Sequence, residues 1–275
     1  MISSRIPLDP LVDLTRSAGN EILRWYGNHG TVEEKEDRSP LTAADRAAHE
    51  HLLAGLADLT PGIPVLSEES PADEIAERLS WERFWLVDPL DGTKEFLKGT
   101  GEFTVNVALI EGGRPRIGVV HVPATGRTYR AAPDLGAQVT STEGGWESIR
   151  ARSFQADSPV LVASRDHAGP MVEALAAALG PGVEFTSMGS SLKFCLVAEG
   201  RADLYLRDRP TMEWDTGAAQ CVVEYAGGIV VSLDEGTWGA PLGYNKSSLR
   251  NPGFLCIGDP EGPWEDLVHR TGHGN

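Results

Sequence analysis

The sequence predicts a protein of two textures, an α+β first half with a largely antiparallel sheet and an α/β second half. Three observations carry this. From Phe103 onward, alternating apolar runs of strand length are separated by turn signals, the first of them Gly112-Gly113. From Val160 onward, short apolar runs alternate with segments of helical period. Between the two, at Ala156-Asp157-Ser158-Pro159, the pattern changes without a long flexible linker. That arrangement predicts two lobes, residues 1–157 and 158–275, packed with a cleft between them.

The elements follow in order. Leu11, Thr15, Ala18, Ile22 and Tyr26 recur at helical spacing, and Gly27 is a stop, so a helix is expected over 9–26. The charged cluster at 33–38 reads as a solvated loop. Thr42 caps a second helix whose stripe is Ala44, Ala48, Leu52 and Leu56. Asp45 lies in its first turn, where a carboxylate suits the helix dipole. A short strand at 63–66 runs into Ser67-Glu68-Glu69-Ser70, and a charged helical segment at 72–79 follows. The apolar run 84–87 is a buried strand that ends in Asp88-Pro89-Leu90-Asp91-Gly92-Thr93. Antiparallel strands are expected at 103–110, 116–122 and 127–131, continuing at 136–139 and 146–149. The second half reads strand 160–163, helix 171–179, strand 183–186, helix 190–198, strand 202–206, helix 215–225, and strands 229–233 and 254–257.

At 275 residues the chain is long enough to bury a sizeable core. A formal charge of −16 with no offsetting basic stripe argues against nucleic-acid polymers and anionic membranes as partners. No apolar run is long enough to span a bilayer, and Met1-Ile2-Ser3-Ser4-Arg5 lacks the pattern of a signal peptide, so a cytoplasmic location is expected. Cys195, Cys221 and Cys256 are scattered through apolar segments and read as buried free thiols. An acidic chain acting on an anion needs local positive charge, which metal ions supply economically.

The acidic residues at element ends are the candidates for that role. Glu68, Asp88 and Asp91 follow strands, and Asp215 opens a helix. Each has a plain structural use, Asp91 and Asp215 as helix N-caps. Two carboxylates about 5 Å apart repel by about 3 kcal/mol at an effective dielectric near 20, so a cation between them is expected. An all-oxygen set without histidine or cysteine suits Mg²⁺ better than zinc. His49 and His51, two apart on a helix, point in different directions.

Asp88-Pro89-Leu90-Asp91-Gly92-Thr93, with Ser67-Glu68-Glu69 before it and Trp214-Asp215 after it, resembles the inositol monophosphatase superfamily. The resemblance runs from Ser39-Pro40-Leu41-Thr42-Ala43-Ala44-Asp45 to Asn251-Pro252-Gly253-Phe254. Gly92-Thr93-Lys94-Glu95-Phe96, Gly101-Glu102-Phe103-Thr104-Val105-Asn106 and the stretch 187–200 are similar to the bacterial 3′(2′),5′-bisphosphate nucleotidase branch. The resemblance implies a layered αβαβα sandwich and a Mg²⁺-dependent, lithium-sensitive phosphomonoesterase of sulfur metabolism. The implied substrate is adenosine 3′,5′-bisphosphate, or its sulfated relative PAPS, cleaved at the 3′-phosphate to leave AMP in the first case. Inositol 1-phosphate or a sugar phosphate such as fructose 1,6-bisphosphate stands as the alternative substrate class. A non-catalytic nucleotide-sensing module is the alternative of another kind, which a missing carboxylate or threonine would favour.

The same resemblance implies the site. Glu68, Asp88 and the Leu90 carbonyl hold a first Mg²⁺; Asp88, Asp91 and Asp215 hold a second; a third, weaker ion uses Glu68 and water. Thr93, polarised by Asp45, activates the attacking water with Glu68 nearby, which moves Asp45 from a helix-end role to a catalytic one. Asp91 and the amides of Gly92 and Thr93 face phosphate oxygens. Gly189, Ser190 and Ser191 open a helix with donors for an anion, and Lys193 and Arg207 take the second phosphate or the ribose-adenine portion. A capped helix with exposed basic residues is the plain alternative for that stretch. His167, in Ser164-Arg165-Asp166-His167, approaches the nucleotide or is a turn residue. Asp208-Arg209 and Met212-Glu213 add charges beside the substrate mouth. The expected partner is a small phosphorylated molecule, and the expected assembly a monomer or homodimer.

Overall fold

The first helices form where apolar residues recur three and four apart. In a computed structural model, which describes residues 6–28, 33–34, 40–71, 77–140, 144–163, 169–234 and 239–271, they are α1 (Leu8–Leu23) and α2 (Ala43–Leu59). Leu11, Ala18 and Ile22 of α1 pack with Ala48, Leu52 and Leu56 of α2 over Trp85, Val87, Val105 and Val107. Gly19 makes the approach possible, since a Cβ there would stand 2.6 Å from the His121 ring.

Those four sheet residues belong to a seven-stranded sheet in strict sequence order: β3 (Val65–Ser67), β4 (Arg83–Asp91), β5 (Thr104–Glu111), β6 (Arg114–His121), β7 (Thr128–Ala132), β8 (Gly136–Thr140) and β9 (Glu147–Ser148). Only the β3–β4 pair is parallel. β4 and β5 are buried almost throughout because both faces are covered. Alternate residues Leu66, Phe84, Leu86, Ala108 and Ile110 face the other way, onto α5 (Leu192–Ala198) and α6 (Gly217–Tyr225) through Phe194, Ala218, Cys221 and Val222.

The far side of α5 and α6 meets a five-stranded sheet in the order β11 (Glu184–Ser187), β10 (Val160–Ala163), β12 (Leu204–Arg207), β14 (Phe254–Ile257), β13 (Ile229–Ser232). Val162, Tyr205, Phe254 and Cys256 join the α5–α6 core, while Leu161, Leu204, Leu255 and Ile257 pack on α4 (Pro170–Leu179) and α7 (Trp264–His269). Helices, sheet, helices, sheet, helices is the αβαβα sandwich. The core around its middle layer draws residues from both halves of the chain, Leu66 to Val139 from the first and Val160 to Cys256 from the second.

Local differences from the sequence expectation have simple causes. Glu33 and Glu34 are not loop: as β1 (Glu33–Glu34) they pair antiparallel with β2 (Pro40–Leu41). Of the helical segment at 72–79, residues 72–76 lie outside those described, and Arg78–Ser80 is one 3₁₀ turn. The strand at 146–149 shrinks to two exposed residues. A short helix, α3 (Thr93–Lys98), stands between glycines in the left-handed region, Gly92 and Gly99, and too few residues separate them for a periodic signal. The three cysteines are buried and free. Among the described residues no helix is long and apolar enough to cross a membrane.

Candidate metal centre

The aspartates of β4 share a face because the strand carries one residue too many. Asp88 pairs with Asn106 and Asp91 with Thr104, so three steps along β4 match two along β5. In a regular strand, positions three apart point to opposite faces. The bulge at Pro89-Leu90 returns Asp91 to the side of Asp88, and Pro89, lacking an N–H, sits where the ladder is broken. The Leu90 amide donates to Asp88 Oδ1 at 3.1 Å. Asp91 Oδ2 accepts the Ser191 amide at 2.7 Å and lies 2.7 Å from Ser191 Oγ, 3.3 Å from Asn106 Nδ2 and 3.4 Å from Thr104 Oγ1.

Asp215 arrives from the other half of the chain, in the turn before α6. That helix begins at Gly217 with Thr216 at its N-cap, so Asp215 is not the cap; its Oδ2 accepts the Met212 amide at 2.7 Å. Asp91 likewise caps nothing, since the N-cap of α3 is Gly92. Asp88, Asp91 and Asp215 instead converge, with carboxylate oxygens within 4.8 Å of one another. Burial pushes the Asp215 carboxyl up to about 8, with the neighbouring charges of Asp91 and Glu68 adding to it and the Met212 amide and Arg207 opposing. A carboxylate cluster with so raised a member is short of positive charge. Its oxygen-only donor set fits a hard divalent cation.

Glu68 falls outside that 4.8 Å group. The parallel register Ser67–Val87 sets it beside Asp88, and its amide donates to the Val87 carbonyl at 3.0 Å. The Leu90 carbonyl accepts the Thr93 hydroxyl at 3.2 Å. Thr93 Oγ1 also lies 3.4 Å from Asp45 Oδ1. Asp45 meanwhile keeps its helix-end role: its Oδ2 accepts the Thr42 amide at 2.7 Å and the Thr42 hydroxyl at 2.5 Å, closing a capping box. The two roles do not compete, because each uses a different oxygen.

The anion-binding expectation for 189–191 needs correction. Gly189 N–H donates to Glu102 Oε2 at 2.8 Å, and the Ser191 amide is taken by Asp91. The start of α5 therefore spends its donors on the protein's own carboxylates, fixing Asp91 rather than offering an open anion cradle. Ser190 differs: it adopts a left-handed φ of 46°, and its buried Oγ has no hydrogen-bond partner among the described residues. It lines a cavity of about 360 Å³ together with Asp91, Asp215, Gly92, Lys193 and Arg207. Ser191 makes no side-chain cap, and Lys193 is buried, which removes the reading of a capped helix with exposed basic residues. Lys193 Nζ lies 3.4 Å from the Met188 carbonyl and 5.4 Å from the centre of the Tyr205 ring. Burial lowers its pKa, Asp91 opposing and Arg207 adding to the effect. Arg207 Nε is buried without a hydrogen-bond partner among the described residues. His167 lies outside the described residues.

Asp208 and Arg209 do line the cavity, but Glu213 does not: it is fully buried and ion-paired with Lys246. Sequence reasoning missed Asn106, which ties Asp91 to Ser191 with its Nδ2 2.9 Å from Ser191 Oγ. The signal was present, an amide side chain in the middle of the buried run Val105-Asn106-Val107.

Comparison with known proteins places this architecture. The model of the Inositol monophosphatase family matches residues 7–256, and the chain belongs to that family. It is 47% identical over 251 residues to the 3′(2′),5′-bisphosphate nucleotidase CysQ of Escherichia coli O6:H1, covering 90% of this chain and 98% of that one. The crystal structure of CysQ from Bacteroides thetaiotaomicron superposes with a TM-score of 0.79 at 42% identity, covering 92% of this chain and 97% of that one. The IMPase of Thermotoga maritima shares the fold, with a TM-score of 0.76 at 23% identity over 96% of each chain.

Proposed function

We propose, with membership of the inositol monophosphatase family as the premise, that this chain is a Mg²⁺-dependent phosphomonoesterase removing the 3′-phosphate of adenosine 3′,5′-bisphosphate. AMP and phosphate are the products. One observation carries the reading: a single cavity is lined both by the carboxylates Asp91 and Asp215 and by the cations Lys193 and Arg207. A substrate with two phosphates offers one to each set. The name and identity of the CysQ relatives support the same substrate class.

Asp88, Asp91 and Asp215 would hold Mg²⁺, with Glu68 and the Leu90 carbonyl supplying further oxygens for a second ion and Glu68 for a third. Bound there, Mg²⁺ neutralises charge on the phosphoryl group and makes a water molecule more acidic. The attacking water forms a bond to phosphorus as the P–O3′ bond breaks, and the 3′-oxygen leaves with a proton. Thr93 Oγ1, 3.4 Å from Asp45 Oδ1, accepts a hydrogen bond from that water while donating its own proton toward Asp45. Thr42 keeps Asp45 turned for this by occupying its other oxygen. The amides of Gly92 and Thr93, at the start of α3, face the oxygens of the scissile phosphate. Lys193 and Arg207 receive the remaining phosphate, and Ser190 Oγ supplies a polar group to the same cavity. Such an activity clears a by-product of sulfate activation and places the enzyme in the cytoplasm.

Phosphate release measured side by side tests the reading. With Mg²⁺, kcat/KM for adenosine 3′,5′-bisphosphate is expected to exceed that for inositol 1-phosphate by at least about 100-fold, since a monophosphate leaves Lys193 and Arg207 without the anion they would bind. A preference for inositol 1-phosphate would overturn it.

A further inference from the structure

Glu213 is a carboxylate with no place in the proposed chemistry, yet it is fully buried two residues before Asp215. Its oxygens are saturated by donors from a distant loop. The Asn245 amide reaches Oε2 at 2.7 Å, the Lys246 amide reaches Oε1 at 2.9 Å, and Lys246 Nζ pairs with Oε1 at 2.8 Å. Its backbone is used as heavily: the carbonyl accepts the Thr216 and Gly217 amides at the start of α6, and the amide donates to the Leu249 carbonyl. Lys246 Nζ also donates to the Gly243 carbonyl at 2.6 Å and to Asn251 Oδ1 at 3.0 Å. Asn251 Nδ2 in turn holds the Met212 carbonyl and Thr216 Oγ1, each at 2.9 Å. Met212 is the residue whose amide orients the Asp215 carboxylate.

The loop is anchored at its other side too. Arg78 Nη1 donates to Asn245 Oδ1 at 2.9 Å and Nη2 to the Ser247 carbonyl at 2.8 Å, while Asn245 Nδ2 donates to the carbonyls of Arg78 and Trp81. Those residues lead directly into β4, the strand of Asp88 and Asp91. Asn245 has φ 65° and Leu249 φ 53°, a left-handed backbone that surrounding contacts must hold in place.

We propose that Glu213 and Lys246 are positioning residues, a buried clasp that fixes the Asp215 turn relative to the entry of β4 and so presents Asp215 to Mg²⁺. The inference rests on the assignment of Asp215 as a metal ligand. Glutamate is required because all three groups facing it are donors. A glutamine would turn its own NH₂ toward one of them. A cationic side chain with several donors is required, because one ammonium joins Glu213, Gly243 and Asn251 at once.

Titration calorimetry with MgCl₂ on folded protein tests the clasp without reference to turnover. Glu213→Gln and Lys246→Met are expected to weaken Mg²⁺ binding by about 10- to 100-fold, the usual cost of losing an outer-sphere partner. Lys246→Arg is expected to recover most of the loss. Arg152→Met removes another ion pair to a fully buried carboxylate, that of Arg152 with Asp203 ahead of β12, and is expected to lower Tm while leaving the Mg²⁺ titration unchanged. Asp215→Asn calibrates the assay. If it binds weakly while Glu213→Gln and Lys246→Met bind like the wild type, the clasp is overturned and the ligand assignment stands. If Asp215→Asn itself binds like the wild type, the ligand assignment fails and takes the clasp with it. Should Glu213→Gln not fold, Lys246→Met decides, because that side chain is 31% exposed and its loss leaves a smaller cavity.

Discussion

The end of β4 and the turn before α6 deliver the same chemical group by opposite means. On β4, Asp88 and Asp91 are placed by the backbone: a sheet register, one extra residue, and a proline where no amide is needed. At the turn, Asp215 is placed by side chains, with Glu213, Lys246 and Asn251 bridging stretches more than thirty residues apart in sequence. The first route is local and stiff. The second depends on buried polar groups being fully paired, so a single substitution there is expected to loosen the geometry without unmaking the fold.

The comparison is broken most severely by removing a ligand itself. Asp91→Asn keeps an oxygen to accept from the Ser191 amide, so the fold is expected to survive, with an unchanged far-UV spectrum. Turnover is expected to fall by more than about 100-fold, beyond the range typical of an outer-sphere residue. Undiminished phosphate release would remove Asp91 from the metal site.

A smaller effect distinguishes the turn from the strand by pH. Asp215 carries a carboxyl raised from 3.8 to about 8 by burial first and by Asp91 second. Between those values the folded chain holds a proton that the unfolded chain has released. Stability in chelator is therefore expected to fall as pH rises through that window, with Mg²⁺ reversing the trend by favouring the ionised form. Thermal melts in chelator and in Mg²⁺, from about pH 5 to about pH 9, check the sign. Asp215→Asn is expected to lose this component, and a slope unaltered by that change would refute the assignment.

The smallest expected effect is at Pro89. The bulge leaves its missing N–H without a ladder partner to lose, so Pro89→Ala is expected to cost only about 0.4–1 kcal/mol, through the looser unfolded chain. A denaturant midpoint measures it. A cost several times larger would mean that the proline ring, and not the register, sets the aspartates.

Sequence alone determined a good deal. Helical stripes at Leu11–Ile22 and Ala44–Leu56, the strand-length runs from Phe103, and the β–α rhythm after Val160 each reappear, because apolar side chains are the ones that burial selects. The two-aspartate strand end was legible for the same reason, as charge interrupting a buried run. Tertiary structure decided the rest. That Asp88 and Asp91 face the same way follows from a register shift against β5, which no periodicity in β4 reveals. That Ser191 serves Asp91 rather than an anion, and that Glu213 turns inward to Lys246, follows from where the two halves of the chain meet. A carboxylate looks alike in a sequence whether it binds a cation, caps a helix or pairs with a lysine. Its use is set by which donors the fold brings within about 3 Å of it.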